Sequence, residues 1–178
     1  RLAESLDSND GVYFVPALTG LGSPYWDPNA RGAIMGITRG TTKAHMARAA
    51  LEAISYQTAD AVTAMQAACS FDLTELHADG GAVANRWLMQ FQADVLGVPV
   101  VVPVVTETTA YGAGLMAGIT TGDWSRDDVD AMWREAARYE PKMTESHRAV
   151  LLAEWAATVE CVRGRGTPGD GGEQGARV

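Results

Sequence analysis

The sequence predicts an α/β domain with parallel connections between its strands. Short β-branched runs alternate with longer helical patterns through the middle of the chain, and glycines separate them. Hydrophobic residues make up 47% of the 178 residues and charged residues 20%, which is enough apolar material for a core. A chain of this length fits one domain or a large piece of one.

The first third of the chain combines two short strands with a long helix. Val12–Pro16 and Gly32–Ile37 have the composition of strands. Between them, Thr19–Arg31 is rich in proline and glycine and predicts an ordered loop with its adjacent tyrosine and tryptophan as anchors. A helix is predicted over Lys43–Ala68, with Thr42 as its N-cap. The apolar residues of one predicted helix face are Met46, Ala50, Ile54, Ala61 and Met65.

The next segment predicts a strand, a helix and a second strand. Leu76–Asp79 ends at a Gly-Gly pair, and a helix follows over about Ala84–Leu96. Gly97 is a C-cap signal, and Val98–Val102 has the pattern of a buried strand. The predicted buried stripe of the helix comprises Ala84, Trp87, Leu88, Phe91 and Val95.

Three more helices complete the predicted order of elements. Thr108 or Thr109 caps a helix of small residues that extends through Gly118. A second helix starts at Ser125, which forms a capping box with Asp128, and the last helix starts at Thr144. The apolar positions of these last two helices are Val129, Met132, Trp133 and Ala136, then Leu151, Trp155 and Val162.

The charge and the positions of cysteine and histidine exclude several classes of protein. The net charge of −8 makes nucleic acid and anionic membrane surfaces poor partners. No apolar run is long enough to cross a bilayer, and no signal-peptide pattern opens the chain. Cys69 and Cys161 lie far apart and the three histidines are scattered, so neither a disulfide framework nor a metal site is predicted. This pattern favours a reducing cytoplasm.

The first residue is arginine, and Arg1–Asp10 is typical of the middle of a helix that enters a turn. We therefore expect a truncated reading frame or an excised fragment. A processed mature protein is the alternative.

The turn at Gly80-Gly81 is the most informative candidate site. Glycines let a ligand approach the backbone, and the N–H groups of a following helix suit a phosphate. Asn85, one turn further on, carries an amide that can donate to and accept from a base or ribose. The alternative is a structural turn with a solvated Asn85, and spacing alone favours that alternative.

For the other candidate residues, the sequence pattern favours structural roles. Asp79 is interpreted as a cap for the following turn rather than a magnesium ligand or general base, because no second carboxylate lies nearby in sequence. Gly112–Ala117 fits a GxGxxA pattern but follows no apolar strand, so close helix packing is favoured. His77 is interpreted as a packed histidine. No convincing nucleophile–base pair is found in the sequence.

Four stretches carry a more specific pattern, and they are Gly11–Arg39, Gly32–Glu52, Asp79–Gly97 and Glu107–Gly118. They resemble the FGGY family of carbohydrate kinases. The second matches the family's C-terminal signature, with Gly36, His45 and Glu52 at the expected places. The segments SPYWDPNARG and DGGAVAN are similar to the corresponding segments of family members that phosphorylate glycerol.

The resemblance implies the C-terminal domain of a two-domain kinase with an actin-like, ribonuclease-H-like fold. It implies transfer of the γ-phosphoryl group of Mg-ATP to glycerol, with ATP and Mg²⁺ required. The nucleotide-binding role carries over to Gly80, Gly81 and Asn85. The catalytic base and most glycerol-binding residues would lie in an N-terminal half outside this chain, so no catalytic residue is assigned within it. The full-length protein would be a homo-oligomer.

The resemblance also sets expected boundaries. Residues 1–163 would form a partial C-terminal domain that is incomplete at its N-terminal edge, and Gly164–Val178 would be a disordered tail. The chain alone is expected to be inactive. The alternatives are another FGGY sugar kinase, acting on xylulose, ribulose or gluconate, and a non-catalytic nucleotide-binding or interaction module.

Overall fold

The computed structural model describes residues 2–164 of the chain. The chain divides into two compact units. The first consists of Arg1–Ala53 with Ala153–Val178, and the second is Ile54–Leu152. Apart from Gly164, the predicted disordered tail lies outside the described residues.

The first unit is built around a two-stranded antiparallel sheet. Strand β1 (Tyr13–Val15) pairs with strand β2 (Ala33–Met35), and Phe14 lies opposite Ile34. Both strands fall within the runs predicted for them. The core of the unit comprises Val12, Val15, Ala17, Ala30, Trp155, Val159 and Val162, all of which are almost fully buried.

The loop between β1 and β2 is ordered, but only one of its two aromatic residues is an anchor. Leu21 and Asp27 exchange two backbone hydrogen bonds, of 2.8 and 3.0 Å, which close the loop. Tyr25 is half-buried, and the guanidinium of Arg163 lies 5.5 Å from its ring centroid. Trp26 is 75% exposed, so the prediction that it anchors the loop is wrong.

Helix α1 (Lys43–Cys69) confirms the predicted long helix, but the predicted face is wrong. Ile54 is 46% exposed and Met65 is 57% exposed. In an alanine-rich helix the apolar contrast between faces is weak, and the buried face follows from specific partners instead. That face includes His45, Ala49, Glu52 and Ala53 in the first unit, and Ser55, Tyr56 and Ala59 in the second.

The second unit contains a three-stranded mixed sheet in the order β3-β4-β5. Strand β3 (Leu76–His77) runs parallel to strand β4 (Val100–Pro103), and helix α2 (Arg86–Leu96) connects them. This βαβ connection confirms the predicted α/β class with parallel connections. Strand β5 (Glu135–Tyr139) pairs antiparallel with β4 on its other side.

The sequence does not predict β5. It predicts one helix from Ser125 through Ala136, whereas helix α4 (Arg126–Met132) ends before Trp133. Tyr139 pairs with Val100 and Arg138 with Val101, so β5 covers the backbone groups on one edge of β4. Satisfying those groups outweighs the local helix propensity of Glu-Ala-Ala-Arg.

The remaining helices of the second unit are close to their predicted positions. Helix α2 buries Leu88, Phe91 and Val95 as expected and ends at Gly97, which has a left-handed backbone (φ 72°). The α4 capping box between Ser125 and Asp128 is confirmed. Helix α3 spans Thr108–Thr121 and its N-cap is Glu107, so the cap predicted at Thr108 or Thr109 is wrong. Helix α5 spans Glu145–Glu160 and belongs partly to each unit.

Candidate functional site

The Gly-Gly turn lies at the carboxyl end of β3 in the second unit. The backbone N–H of Gly80 donates to the carbonyl of Thr106 at 2.7 Å, which fixes the turn beside the segment between β4 and α3. Gly80 has φ 77° and ψ −175°, a conformation that is open almost only to glycine. A Cβ atom at Gly80 or Gly81 would meet no atom within 4 Å. The turn therefore leaves its backbone accessible to a ligand.

The helix after the turn begins later than the sequence predicts. A short 3-10 helix (Gly81–Ala84) follows the glycines, and α2 begins only at Arg86. Ala84, which was predicted to be buried, is exposed. Asn85 is the N-cap of α2, since its Oδ1 accepts a hydrogen bond of 3.2 Å from the N–H of Leu88. Asn85 therefore lies at the helix entrance and not one turn inside it.

This arrangement leaves specific donors available for a ligand. Within residues 2–164, the backbone N–H groups of Gly81 and Ala82 have no hydrogen-bond partner, and both residues are exposed. The Nδ2 group of Asn85 likewise donates to no group in that range, because only its Oδ1 serves the cap. The segment thus offers two backbone donors and one amide donor, without the α-helix N-terminus that was predicted to follow the glycines.

Asp79 helps to hold the turn. The hydroxyl of Thr108, the first residue of α3, donates to Oδ2 of Asp79. The prediction that Asp79 caps its own following turn is therefore wrong, because its partner lies 29 residues away. Thr108 contributes to the positioning of this turn, and no local pattern indicates that role because it depends on a long-range contact. Within residues 2–164, no three acidic, histidine or cysteine side chains come together as a metal site.

His77 is exposed, so the interpretation of it as a packed histidine is wrong. Its ring stacks on Trp133 at a centroid distance of 4.9 Å, and its Nε2 lies 2.7 Å from Oε1 of Glu75. Hydrogen bonds from His77 and then from Arg138 lower the pKa of Glu75. This cluster holds β3 and β5 together at the sheet surface.

The glycines of α3 differ in their surroundings. A Cβ at Gly112 or Gly114 would meet no atom within 4 Å, so the prediction of close packing is wrong for both. A Cβ at Gly118, which lies just after the Gly112–Ala117 pattern, would overlap the ring of Trp124, so the close contact of this helix occurs there instead.

In the first unit, the three signature residues contact three consecutive residues. Nε2 of His45 lies 3.1 Å from Oδ2 of Asp10. Oε2 of the buried Glu52 accepts a 2.8 Å hydrogen bond from Asn9, and its Oε1 accepts one of 2.7 Å from Arg48. A Cβ at Gly36 would overlap the carbonyl of Gly11. The signature thus fastens residues 9–11 to β2 and α1.

A βαβ unit with an accessible glycine turn at the carboxyl end of its first strand is the architecture of a ligand-binding α/β domain. Residues 1–121 match the C-terminal domain of the FGGY family of carbohydrate kinases. The chain belongs to this family.

Curated relatives from several bacteria are named glycerol kinase. The chain is 58% identical over 160 residues to the protein of Dechloromonas aromatica (strain RCB) and 55% identical over 163 residues to that of Deinococcus radiodurans. These alignments cover 89% and 91% of the chain but only 32% of each relative. The chain therefore spans about a third of the length of the proteins it matches.

Solved structures share the fold. Plasmodium falciparum glycerol kinase with ADP matches 90% of the chain with a TM-score of 0.82 and 32% identity, again over 32% of that protein. Gluconate kinase from Lactobacillus acidophilus matches with a TM-score of 0.74 at 24% identity. The chain thus has the fold of the C-terminal part of these kinases, which is actin-like and ribonuclease-H-like.

Proposed function

We propose that the protein containing this chain is an ATP-dependent kinase that transfers the γ-phosphoryl group of Mg-ATP to glycerol, giving sn-glycerol 3-phosphate. The observation that carries the proposal is the 52–58% identity, over about 90% of the chain, to relatives named glycerol kinase. In this proposal, residues 1–163 are part of the C-terminal domain and supply one side of the nucleotide site.

The proposed nucleotide-binding residues are Gly80, Gly81 and Asn85. The glycines allow the nucleotide to approach the main chain, since no side chain occupies the space above them. The free Nδ2 of Asn85 donates to an acceptor on the adenine or ribose while its Oδ1 remains in the helix cap. The Gly80–Thr106 hydrogen bond holds the turn in place for this contact. The ADP in the name of the Plasmodium structure supports a nucleotide as the ligand.

Phosphoryl transfer depends mainly on positioning and on neutralising charge. The described residues of this chain offer no cluster suited to Mg²⁺, so we assign the metal contacts to the nucleotide phosphates and to residues outside the chain. We assign the catalytic base and most glycerol contacts there as well. The role of this chain is to bind and orient the nucleotide.

We further propose that the full-length enzyme works in the cytoplasm as a homo-oligomer. A reducing compartment fits the two exposed free cysteines, and ATP is available there. None of the helices within residues 2–164 is long and apolar enough to cross a membrane. Light scattering of the purified full-length protein measures its oligomeric state, and a monomeric mass would contradict that part of the proposal.

The substrate is tested with the full-length enzyme and a panel of glycerol, xylulose, ribulose and gluconate. We expect kcat/KM for glycerol to exceed that for the other three compounds by orders of magnitude. Preference for another member of the panel would keep the family and overturn glycerol as the substrate.

The site is tested with Gly81→Ala and Asn85→Asp. The added methyl of Gly81→Ala meets no protein atom, and aspartate keeps the N-cap of α2 but removes the amide donor. We expect each variant to raise KM for ATP by about tenfold or more and to leave KM for glycerol unchanged. Gly22→Ala is the control, because a Cβ there also meets no atom within 4 Å. Equal KM values for ATP in Gly81→Ala and Gly22→Ala would contradict the assignment.

A further inference from the structure

The second unit contains a cavity that lies beside the proposed nucleotide turn and shares Thr108 with the contacts that hold that turn. It has a volume of about 230 Å³, and its walls come from the end of β4, the start of α3 and the segment after α4. Gly80, Gly81 and Asn85 do not line it. Pockets that hold drug-sized ligands have volumes of roughly 300–1,000 Å³, so this cavity admits a single ring and not a nucleoside.

The walls of the cavity are mainly apolar. The apolar lining residues are Pro103, Val104, Val105, Met132 and Trp133. Val104 is 61% exposed and Trp133 is 45% exposed, although both are large apolar side chains. Covering such surface with an apolar ring releases water and favours binding.

Two residues that line the cavity, Arg134 and Tyr111, carry polar side-chain groups without a partner among the described residues. The guanidinium of Arg134 makes no hydrogen bond or ion pair with residues 2–164, and the hydroxyl of Tyr111 has no partner in that range. The third polar side chain, that of Thr108, is already engaged with Asp79. A guanidinium and a hydroxyl carried by two residues that line one cavity suit a planar carboxylate, which accepts from both.

We propose that this cavity binds a small aromatic carboxylate. The ring contacts Val104, Val105 and Trp133, and the carboxylate pairs with Arg134 and accepts from Tyr111. None of the three proposed nucleotide-binding residues lines this site, and the proposal does not depend on the proposed kinase activity.

The test is a titration of the isotope-labelled full-length protein with benzoate, followed by NMR through the indole N–H signal of Trp133. A Trp133→Phe variant assigns that signal, because it removes the indole N–H of this residue alone. Benzyl alcohol, which lacks the charge, and acetate, which lacks the ring, are the matched ligands. We expect benzoate to shift the signal saturably. Each matched ligand should bind at least about tenfold more weakly than benzoate.

Two substitutions test whether benzoate binds in this cavity. Arg134→Gln should weaken benzoate binding by about tenfold, and Val105→Phe, which fills the cavity, should abolish it. Arg126→Gln is the control, because Arg126 is also exposed on the same unit and its guanidinium has no hydrogen-bond partner within residues 2–164. Equal binding by Arg134→Gln and Arg126→Gln would overturn the proposal. Displacement of benzoate by ADP would also overturn it, since the ligand would then occupy the nucleotide site.

Discussion

Gly80 and Gly81 are adjacent but are glycines for different reasons. The backbone of Gly80 occupies a region that is almost closed to other residues, whereas Gly81 has an ordinary φ and open space around it. We expect Gly80→Ala to lower the free energy of unfolding by about 1–3 kcal/mol. Gly81→Ala is the matched control and should leave that free energy nearly unchanged. Urea denaturation measures both, and equal losses would contradict the backbone argument.

Ser55 carries a buried hydroxyl with no hydrogen-bond partner among the described residues. Because an unsatisfied buried polar group costs free energy, we expect Ser55→Ala to be neutral or to stabilise the protein by up to about 1 kcal/mol. Thr158→Val is the contrasting variant, since the Thr158 hydroxyl donates to the carbonyl of Glu154 at 2.8 Å. It should destabilise by about 1 kcal/mol. A loss of stability in Ser55→Ala would show that its hydroxyl has a partner.

At the level of single residues, sequence reasoning identified the right segment but not all of the geometry. The pair Gly80-Gly81 follows a strand as predicted. The N-cap role of Asn85 was missed, because the 3-10 helix before it depends on Gly80 being held by Thr106, which is distant in sequence. The exposure of Trp26 was missed because an aromatic residue in a proline-rich loop is usually an anchor.

Helix α3 contains three glycines whose replacement should have opposite effects. At Gly112 and Gly114 an alanine side chain contacts nothing, so each substitution should stabilise the helix by roughly 0.5–1 kcal/mol. At Gly118 the same methyl would overlap Trp124, and Gly118→Ala should destabilise the protein. Thermal unfolding of the three variants measures this. A rise in Tm for Gly118→Ala would contradict the predicted overlap.

Among the elements, local sequence signals predicted where a helix begins or ends better than they predicted which of its residues are buried. The capping box of α4 and the C-cap of α2 are short-range features, and both are confirmed. Strand β5 and the buried face of α1 depend on partners far along the chain. The pairing of β5 with β4 and the burial of Glu52 against Asn9 leave no periodic pattern in the sequence.

For the whole molecule, we expect stability to decline in acid. Hydrogen bonds lower the pKa of Asp10 (from Ser8, then His45), of Asp27 (mainly from the N–H of Gly164) and of Asp128 (from Ser125) below the ordinary 3.8. The pKa of Glu75 is likewise below 4.5. Because these carboxylates bind protons more weakly when folded, their contribution is fully present above the ordinary values and is lost as the pH falls through the folded ones.

Urea unfolding at pH 7, 5, 4 and 3 measures this dependence. The free energy of unfolding should change little between pH 7 and 5 through these groups and should fall below about pH 4. Asp128→Asn removes one of the four groups and should make the acid dependence shallower. A protein equally stable at pH 5 and pH 3 would contradict the expectation.

The overall class was predictable because alternating strands and helices fix a parallel α/β unit. Two local features of the sequence predicted this class, and they are the apolar run after Gly97 and the glycine turn after β3. Two exposed residues that line the further cavity, Val104 and Arg134, gave no signal, because only the fold brings β4 and the segment after α4 together.

The contacts of residues 9–11 with Gly36, His45 and Glu52 have a consequence for the history of the sequence. Each pair is complementary, so a substitution of one residue removes the hydrogen bond or the close contact that favours the other residue. Across related kinases we expect Asn9 with Glu52, and Asp10 with His45, to be inherited and replaced as couples. An alignment in which these positions varied independently would show that the fold tolerates either partner alone.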